Sequence, residues 1–374
     1  MLAGALWSIF KVNLAVKGTE RVLVFADKPS ARETVQPADI ARRERLRYIA
    51  RLAAEAARTV SAEAAYVEYP ATGTHGKEPP RKLWEAAFGA HAIEELESCS
   101  LLKPLIAKKL TPERVSEVER IIQKHCSKSV DAVVGLSNYS TSHTAFRTLL
   151  TGVCGARFAS MPLFDPAMFQ GAMAVDWRAL EARTKLVARR VRGGRSVRIT
   201  TPEGTDIAFS IRMRRVYEDA GNLRKSGSFG NLPAGEVFLA PVEGTAEGRL
   251  VLLWAPTRKL ASPVTLTVQD GYVTRIDGRE PYVKELAERL ALTPLNRNIA
   301  ELGIGTNDRA TRPDNILESE KILGTIHIAL GDNHSFGGSV RTPFHQDFVF
   351  FRPTVTVTDS KGHKAALLRD GKLA

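Results

Sequence analysis

Residues 197–276 read VRITTP, DIAFSIR, EVFLAP, RLVLLWAP, PVTLTV and YVTRI, six short strand-like runs separated by Gly, Pro and Asp. Runs of this length, rich in β-branched and aromatic residues and bounded by turn formers, predict strands joined by tight connections. Asp270-Gly271, between the last two runs, is a hairpin signal. One amphipathic helix interrupts at 282–291 (YVKELAERLA), and IAELGIG, GTIHIALG, DFVFF and TVTVTD then resume the strand pattern.

The first half has a different rhythm. Val22–Ala26 (VLVFA), Ala65–Tyr69 (AYVEY) and Val130–Leu136 read as strands. Residues 38–60, 79–99 and 112–126 read as helices, the last behind Thr111-Pro112, an N-cap followed by a first-turn proline. This βαβα alternation predicts a parallel sheet with helices on its faces. The fold class is therefore α/β: an N-terminal α/β domain over residues 1–193 and a strand-rich α+β domain over 194–374. The boundary is placed at the Gly193-Gly194 turn. At 374 residues the chain is long enough for two such cores.

The formal charge of +12 invites a nucleic-acid reading. The densest basic run, Arg189 to Arg198, comes without zinc-finger, RNA-recognition or basic-zipper spacing, so no nucleic-acid partner is expected. Cys99, Cys126 and Cys154 are few, odd in number and free of CxxC spacing, which argues against a disulfide framework and for a cytoplasmic setting. The apolar N-terminus is broken by Lys11, Asn13 and Lys17 and reads as a first helix. No stretch is long and apolar enough to span a bilayer, so no membrane partner is expected.

The chemistry concentrates in the second half. In an extended run through Arg341–Val349, His345 and Asp347 point to one face, a chelating pair for a divalent metal. His327 lies inside the apolar GTIHIALG, Glu301 inside IAELGIG, and Glu236 opens EVFLAP. A carboxylate buried in a strand without a partner is costly, so three apolar strands each bearing a Glu or His beside an HxD pair point to a common purpose. Three carboxylates and two imidazoles suit zinc, manganese, cobalt or iron. Five donors exceed the need of one catalytic zinc and suit two ions bridged by a shared carboxylate, about 3.5–4 Å apart.

In this order and spacing, NLPAGEVF (231–238), ELGIGTN (301–307), ILESEKILGTIHIALG (316–331) and GGSVRTPFHQD (337–347) resemble the thermophilic aminopeptidase (aminopeptidase T) family. Thr141-Ser142-His143-Thr144 and residues 155–162 (GARFASMP) agree more loosely. The resemblance implies a homodimeric metallo-aminopeptidase that acts on peptides. It implies two divalent metal ions held by Glu236, Glu301, His327, His345 and Asp347, with Glu301 taking the proton of the attacking water. Where family peptidases carry a catalytic tyrosine, this sequence has His334, which would serve as hydrogen-bond donor or proton shuttle. The same fold family includes an iron enzyme that cleaves a dihydroxypyridine ring with dioxygen, similar here at Thr342–Asp347. In that relative a histidine stands where Glu301 stands, and Glu236 has no counterpart. Because both glutamates are kept, the expected function is the hydrolase. The alternatives are a ring-cleaving iron dioxygenase built on His327, His345 and Asp347, or a metal-binding member without catalysis.

Overall fold

The structure is a computed structural model that describes residues 2–31, 33, 35 and 37–374. The chain divides into two compact units, Met1–Ala174 with Gly221–Pro233, and Val175–Ala220 with Ala234–Ala374. The division falls ahead of the helix Trp177–Val191, not at Gly193-Gly194. That helix buries Val187, Ala188 and Val191 in the core of the second unit. Residues 221–233 return to the first unit, where Phe229–Asn231 extends its sheet.

The first unit is a five-stranded, all-parallel sheet. Its strand order is Glu63–Pro70, Arg21–Lys28, Ala132–Gly135, Arg157–Ser160, Phe229–Asn231. Parallel strands need crossovers, and the helices between them supply these. Leu23, Phe25, Val133 and Phe158 pack beneath Trp84, Phe88 and Phe146. The helix expected over 79–99 is two, Arg81–Phe88 and Ala90–Ser98, because Gly89 takes φ +86° and ends the first. The helix Pro112–His125 starts at its proline as expected, although Thr111 makes no side-chain cap. Cys126 and Cys154 form a disulfide, correcting the expectation of unpaired cysteines. The partners are 28 residues apart in sequence, and the end of one helix and the loop after another bring their Cα atoms to 5.1 Å. The pairing also removes the cysteine argument for a reducing compartment. Among the described residues no helix is long and apolar enough to cross a membrane.

The second unit contains two antiparallel sheets. The eight-stranded sheet runs from Tyr272–Asp277 to Lys372–Leu373, and the five-stranded sheet has the order His345–Phe350, Ile326–Gly331, Ile299–Gly305, Glu236–Leu239, Tyr217–Asp219. Val197, Ile199, Ile207, Phe209, Leu250, Leu252, Val264 and Leu266 of the larger sheet share one core with Val237, Leu239, Leu302, Ile304, Ile326, Ile328, Leu330, Phe348 and Phe350 of the smaller. Asp270 and Gly271 take φ +49° and +80°, as a type I′ hairpin requires. The strand Lys364–Arg369 was not expected; its KAALLR run lacks the β-branched signature, though Asp370-Gly371 after it repeats the hairpin signal. Two arginines of the basic run are tied to carboxylates: Arg192 pairs with Glu218, and Arg198 holds Asp206 through two nitrogens at 3.0 and 2.8 Å.

Candidate metal centre

Alternation along the five-stranded sheet separates its two duties. Leu302 and Ile304, Ile326, Ile328 and Leu330, Phe348 and Phe350 enter the core. Their neighbours in sequence face the other way. That second face carries Glu301, Gly303 and Gly305 on one strand, His327, Ala329 and Gly331 on the next, His345 and Asp347 on the edge strand, and Glu236 on the other side. The register aligns them: Glu301 and Asp347 both lie opposite Ala329, Gly303 lies opposite His327, and Gly305 opposite Glu236. Directly opposed residues share a face. The small Ala329 therefore leaves the two carboxylates open to each other. Gly303 is required by close approach, since a Cβ there would lie 1.9 Å from His327 Cε1.

One donor atom each from Glu301, His345 and Asp347 lies within 4.8 Å of the others. His345 Nε2 is 3.5 Å from both Glu301 Oε2 and Asp347 Oδ2. Its Nδ1 donates to the Asp332 carbonyl at 2.7 Å, which fixes the ring and leaves Nε2 as the inward lone pair. Asp332 is held in turn, its N–H donating to Phe344 O and its carboxylate accepting from Thr342 N. His327 Nε2 lies 3.4 Å from Glu301 Oε1 and 3.5 Å from Glu236 Oε2. Glu236, Glu301 and His327 are buried, whereas the His345 side chain is 34% exposed and forms the open side.

The electrostatics call for positive charge. Burial opposes a charged His345, yet Asp347 and Glu301 push it up to about 10. Burial likewise opposes a charged His327, and Glu301, Glu236, Asp347 and Glu320 still push it up to about 9. Asp347 is also penalised by burial, but His345 and His327 hold it well below the usual carboxylate range. Burial raises Glu301. Without a metal the carboxylates recruit protons onto both imidazoles; a divalent cation satisfies the same field and displaces them. Two buried donor atoms at the site, Glu236 Oε2 and His327 Nδ1, have no hydrogen-bond partner. Carboxylate and imidazole donors, a charge deficit and uncommitted lone pairs together fit a divalent metal.

All five expected ligand residues thus lie on one sheet face, but only Glu301, His345 and Asp347 form the tight trio. His334 does not join them; it is exposed and pairs with Arg341. Lys321 and the aromatic residues beside the site were not foreseen. Lys321 is fully buried with Nζ 2.8 Å from Glu236 Oε1 and 2.9 Å from Glu320 Oε2. The available signal was a charged ESEK stretch six residues ahead of His327. An aromatic run borders the open side: Tyr217 stacks on Phe238 at 5.2 Å, Phe238 meets Phe336 edge-on at 5.9 Å, and Phe336 meets the His345 ring at 6.0 Å.

Residues 166–373, more than half of the chain and including the whole cluster, match the family model for NicX, 2,5-dihydroxypyridine 5,6-dioxygenase. The chain belongs to the NicX family. A curated 2,5-dihydroxypyridine 5,6-dioxygenase from Pseudomonas putida KT2440 is 25% identical over 186 residues, covering 46% of this chain and 51% of the relative. The match thus spans about half the length of that relative. Among solved structures, the 2,5-dihydroxypyridine dioxygenase from P. putida KT2440 superposes with a TM-score of 0.67 at 18% identity, covering 100% of this chain and 96% of the other. AmpT from Thermus thermophilus gives 0.55 at 15% identity, covering 100% and 98%. At these identities the two structures show a shared fold, which the resemblance to the aminopeptidase had implied. The family match overturns the expected hydrolase. The readings as aminopeptidase, metalloprotease and peptide-binding enzyme fall with it. The retained Glu236 and Glu301 had favoured hydrolysis, but Glu236 has one oxygen committed to Lys321.

Proposed function

We propose that this NicX family member is a non-haem metal-dependent dioxygenase that opens a hydroxylated nitrogen-heteroaromatic ring of the dihydroxypyridine type. The observation that carries the reading is the convergence of Glu301, His345 and Asp347 within the segment matched by a ring-cleaving dioxygenase family. Glu301, His345 and Asp347 would hold the metal as two carboxylates and an imidazole, a variation on the two-histidine, one-carboxylate set of non-haem iron oxygenases. An iron(II) ion held by this trio would supply the activation of dioxygen. The remaining tasks fall to the protein. The Asp332 carbonyl orients His345. His327, between Glu236 and Glu301, holds a proton at Nε2 that either carboxylate can receive. Phe336 and Phe238 offer ring faces and edges to an aromatic substrate beside the open histidine. Insertion of both atoms of one dioxygen across one ring bond leaves both oxygens in the opened product and consumes no external reductant.

The test is oxygen uptake. Protein loaded anaerobically with iron(II) is mixed with 2,5-dihydroxypyridine and oxygen, and electrode traces are compared with loss of ring absorbance and with mass spectra after ¹⁸O₂ labelling. One oxygen consumed per ring opened, with both labels in the product, is the expected result. Iron-loaded protein that consumes no oxygen with any dihydroxypyridine isomer refutes the proposal.

A further inference from the structure

Alternation along the larger sheet breaks at Arg195. Val197 and Ile199 of the strand Gly194–Thr200 enter the core, and Arg195 falls on their face of the strand. Ile211 N donates to Arg195 O at 2.9 Å, continuing the register that pairs Ser196 with Ser210, so Arg195 stands opposite Ile211. An arginine thus takes a position that the pattern reserves for an apolar residue, just where the core ends. At this place lies a cleft of about 390 Å³, with Val191, Ile211 and Val216 buried in its floor and Arg195, Arg212 and Met213 exposed at its rim. Gly194 lets the floor close, since a Cβ there would lie 2.8 Å from Ile211 Cδ1.

Two further observations single out the rim. Arg192, Arg198 and Arg214 are each paired with a carboxylate. Among the described residues, the guanidinium groups of Arg195 and Arg212 make neither a hydrogen bond nor an ion pair; the bonds of these residues run through the backbone, from Ser210 Oγ and Ile211 N to Arg195 O and from Arg212 N to Ser210 Oγ. Met213, next to Arg212, takes φ +58° with 93% of its surface exposed. Left-handed backbone at a residue with a Cβ is strained, and strain of this kind collects at ligand clamps.

We infer that this cleft is a binding site for a small organic acid. A flat apolar body rests on Val191, Ile211 and Val216, Arg195 and Arg212 hold its carboxylate, and Met213 folds over the open side. Guanidinium groups bind carboxylates through paired, charge-assisted hydrogen bonds. A polarizable thioether adapts to the edge or face of a ring. The volume lies at the lower end of the range for small-molecule sites. A bare inorganic anion would lose hydration against the apolar floor and leave that floor unused. None of the residues that line the cleft is a donor of the metal centre, so the inference does not depend on the metal or on ring cleavage.

The experiment is calorimetric titration of iron(II)-loaded protein, kept anaerobic, with benzoate, benzamide and inorganic phosphate. Benzoate is expected to bind saturably. Benzamide has the body without the charge and phosphate the charge without the body; each should bind at least about 10-fold more weakly, because a hydrogen bond to a charged group is worth roughly 10- to 100-fold in affinity. Arg195→Gln and Arg212→Gln should each weaken benzoate by about 10-fold or more on the same ground. Asp347→Asn should leave this binding unchanged, which separates it from benzoate held by the metal. Absence of saturable benzoate binding, binding that survives both arginine substitutions, or phosphate binding as tightly as benzoate overturns the inference. Sedimentation of wild type and Met213→Ser tests the other use of an exposed apolar rim. The same mass is expected for both; a smaller assembly in the variant assigns the cleft to self-contact and refutes the ligand site.

Discussion

Placing a methyl group on Gly303 tests the packing logic of the site without replacing a donor residue. The new Cβ would stand 1.9 Å from His327 Cε1, 2.0 Å from Nε2 and 2.6 Å from Nδ1. Ordinary carbon contacts begin near 3.5 Å, so the ring must withdraw by roughly 1.5 Å. It has little room, because His327 is 1% exposed and Ile326 and Ile328 on either side are anchored in the core. Forcing extra volume into a packed site costs about 1–3 kcal/mol. Gly303→Ala should fall at the upper end, about 3 kcal/mol, or roughly 6–12 °C in Tm for a domain of about 150–250 residues. The control is the same change in a His327→Ala background, where the methyl meets space vacated by the ring. There its cost should shrink to within about 0.5 kcal/mol of zero, giving a coupling of 2 kcal/mol or more in the double-mutant cycle. Urea unfolding of the four proteins measures it. Equal costs in the two backgrounds would refute the claim that the ring of His327 is why residue 303 is glycine.

Two further outcomes concern the first unit. Thiol titration of denatured, unreduced protein should find one free cysteine, Cys99, rising to three after reduction; opening a loop of this length should lower stability by roughly 3–4 kcal/mol on the chain-entropy model. Glu68 is penalised by burial, but hydrogen bonds from Arg47, Tyr66 and Arg51 bring its carboxyl from 4.5 down to about 2. A depressed folded value means that its stabilisation is complete above about pH 4.5 and is lost as the pH falls toward 2. Glu68→Gln should therefore be less stable than wild type at pH 7, with the gap in urea midpoint closing across that window; a gap independent of pH would contradict the ion-pair account.

Much of the site was legible because strand geometry is so regular. HxD in an extended run puts His345 and Asp347 on one face whatever surrounds them, and Glu301 and His327 stood out as charges inside apolar strands. Lys321 did not stand out, since ESEK reads as a solvated turn; it is buried only because residues 319–322 fold back over Gly305, a contact with no local signature. The same blindness to distant partners hid the Cys126–Cys154 bond. The break at Gly89 needed a positive φ that a helical pattern does not announce. The chemistry was misread for a different reason. Carboxylates and imidazoles serve hydrolysis and oxygenation alike, so the donor types admit both reactions, and the tie was decided by two glutamates, one of which is engaged by an ammonium.

The alternation along IAELGIG and TIHIALG also bears on how such a centre can change over time. Stability is carried by Leu302, Ile304, Ile326, Ile328 and Leu330, whose side chains never enter the donor face. Exchange of a donor on the opposite face therefore alters the reaction without eroding the framework that holds it. The glycines and alanine between the donors leave space that a different side chain can claim when its neighbour shrinks. A scaffold organised in this way can pass from one chemistry to another through single replacements, each made in an already folded protein. That is consistent with one architecture underlying both a dioxygenase and AmpT.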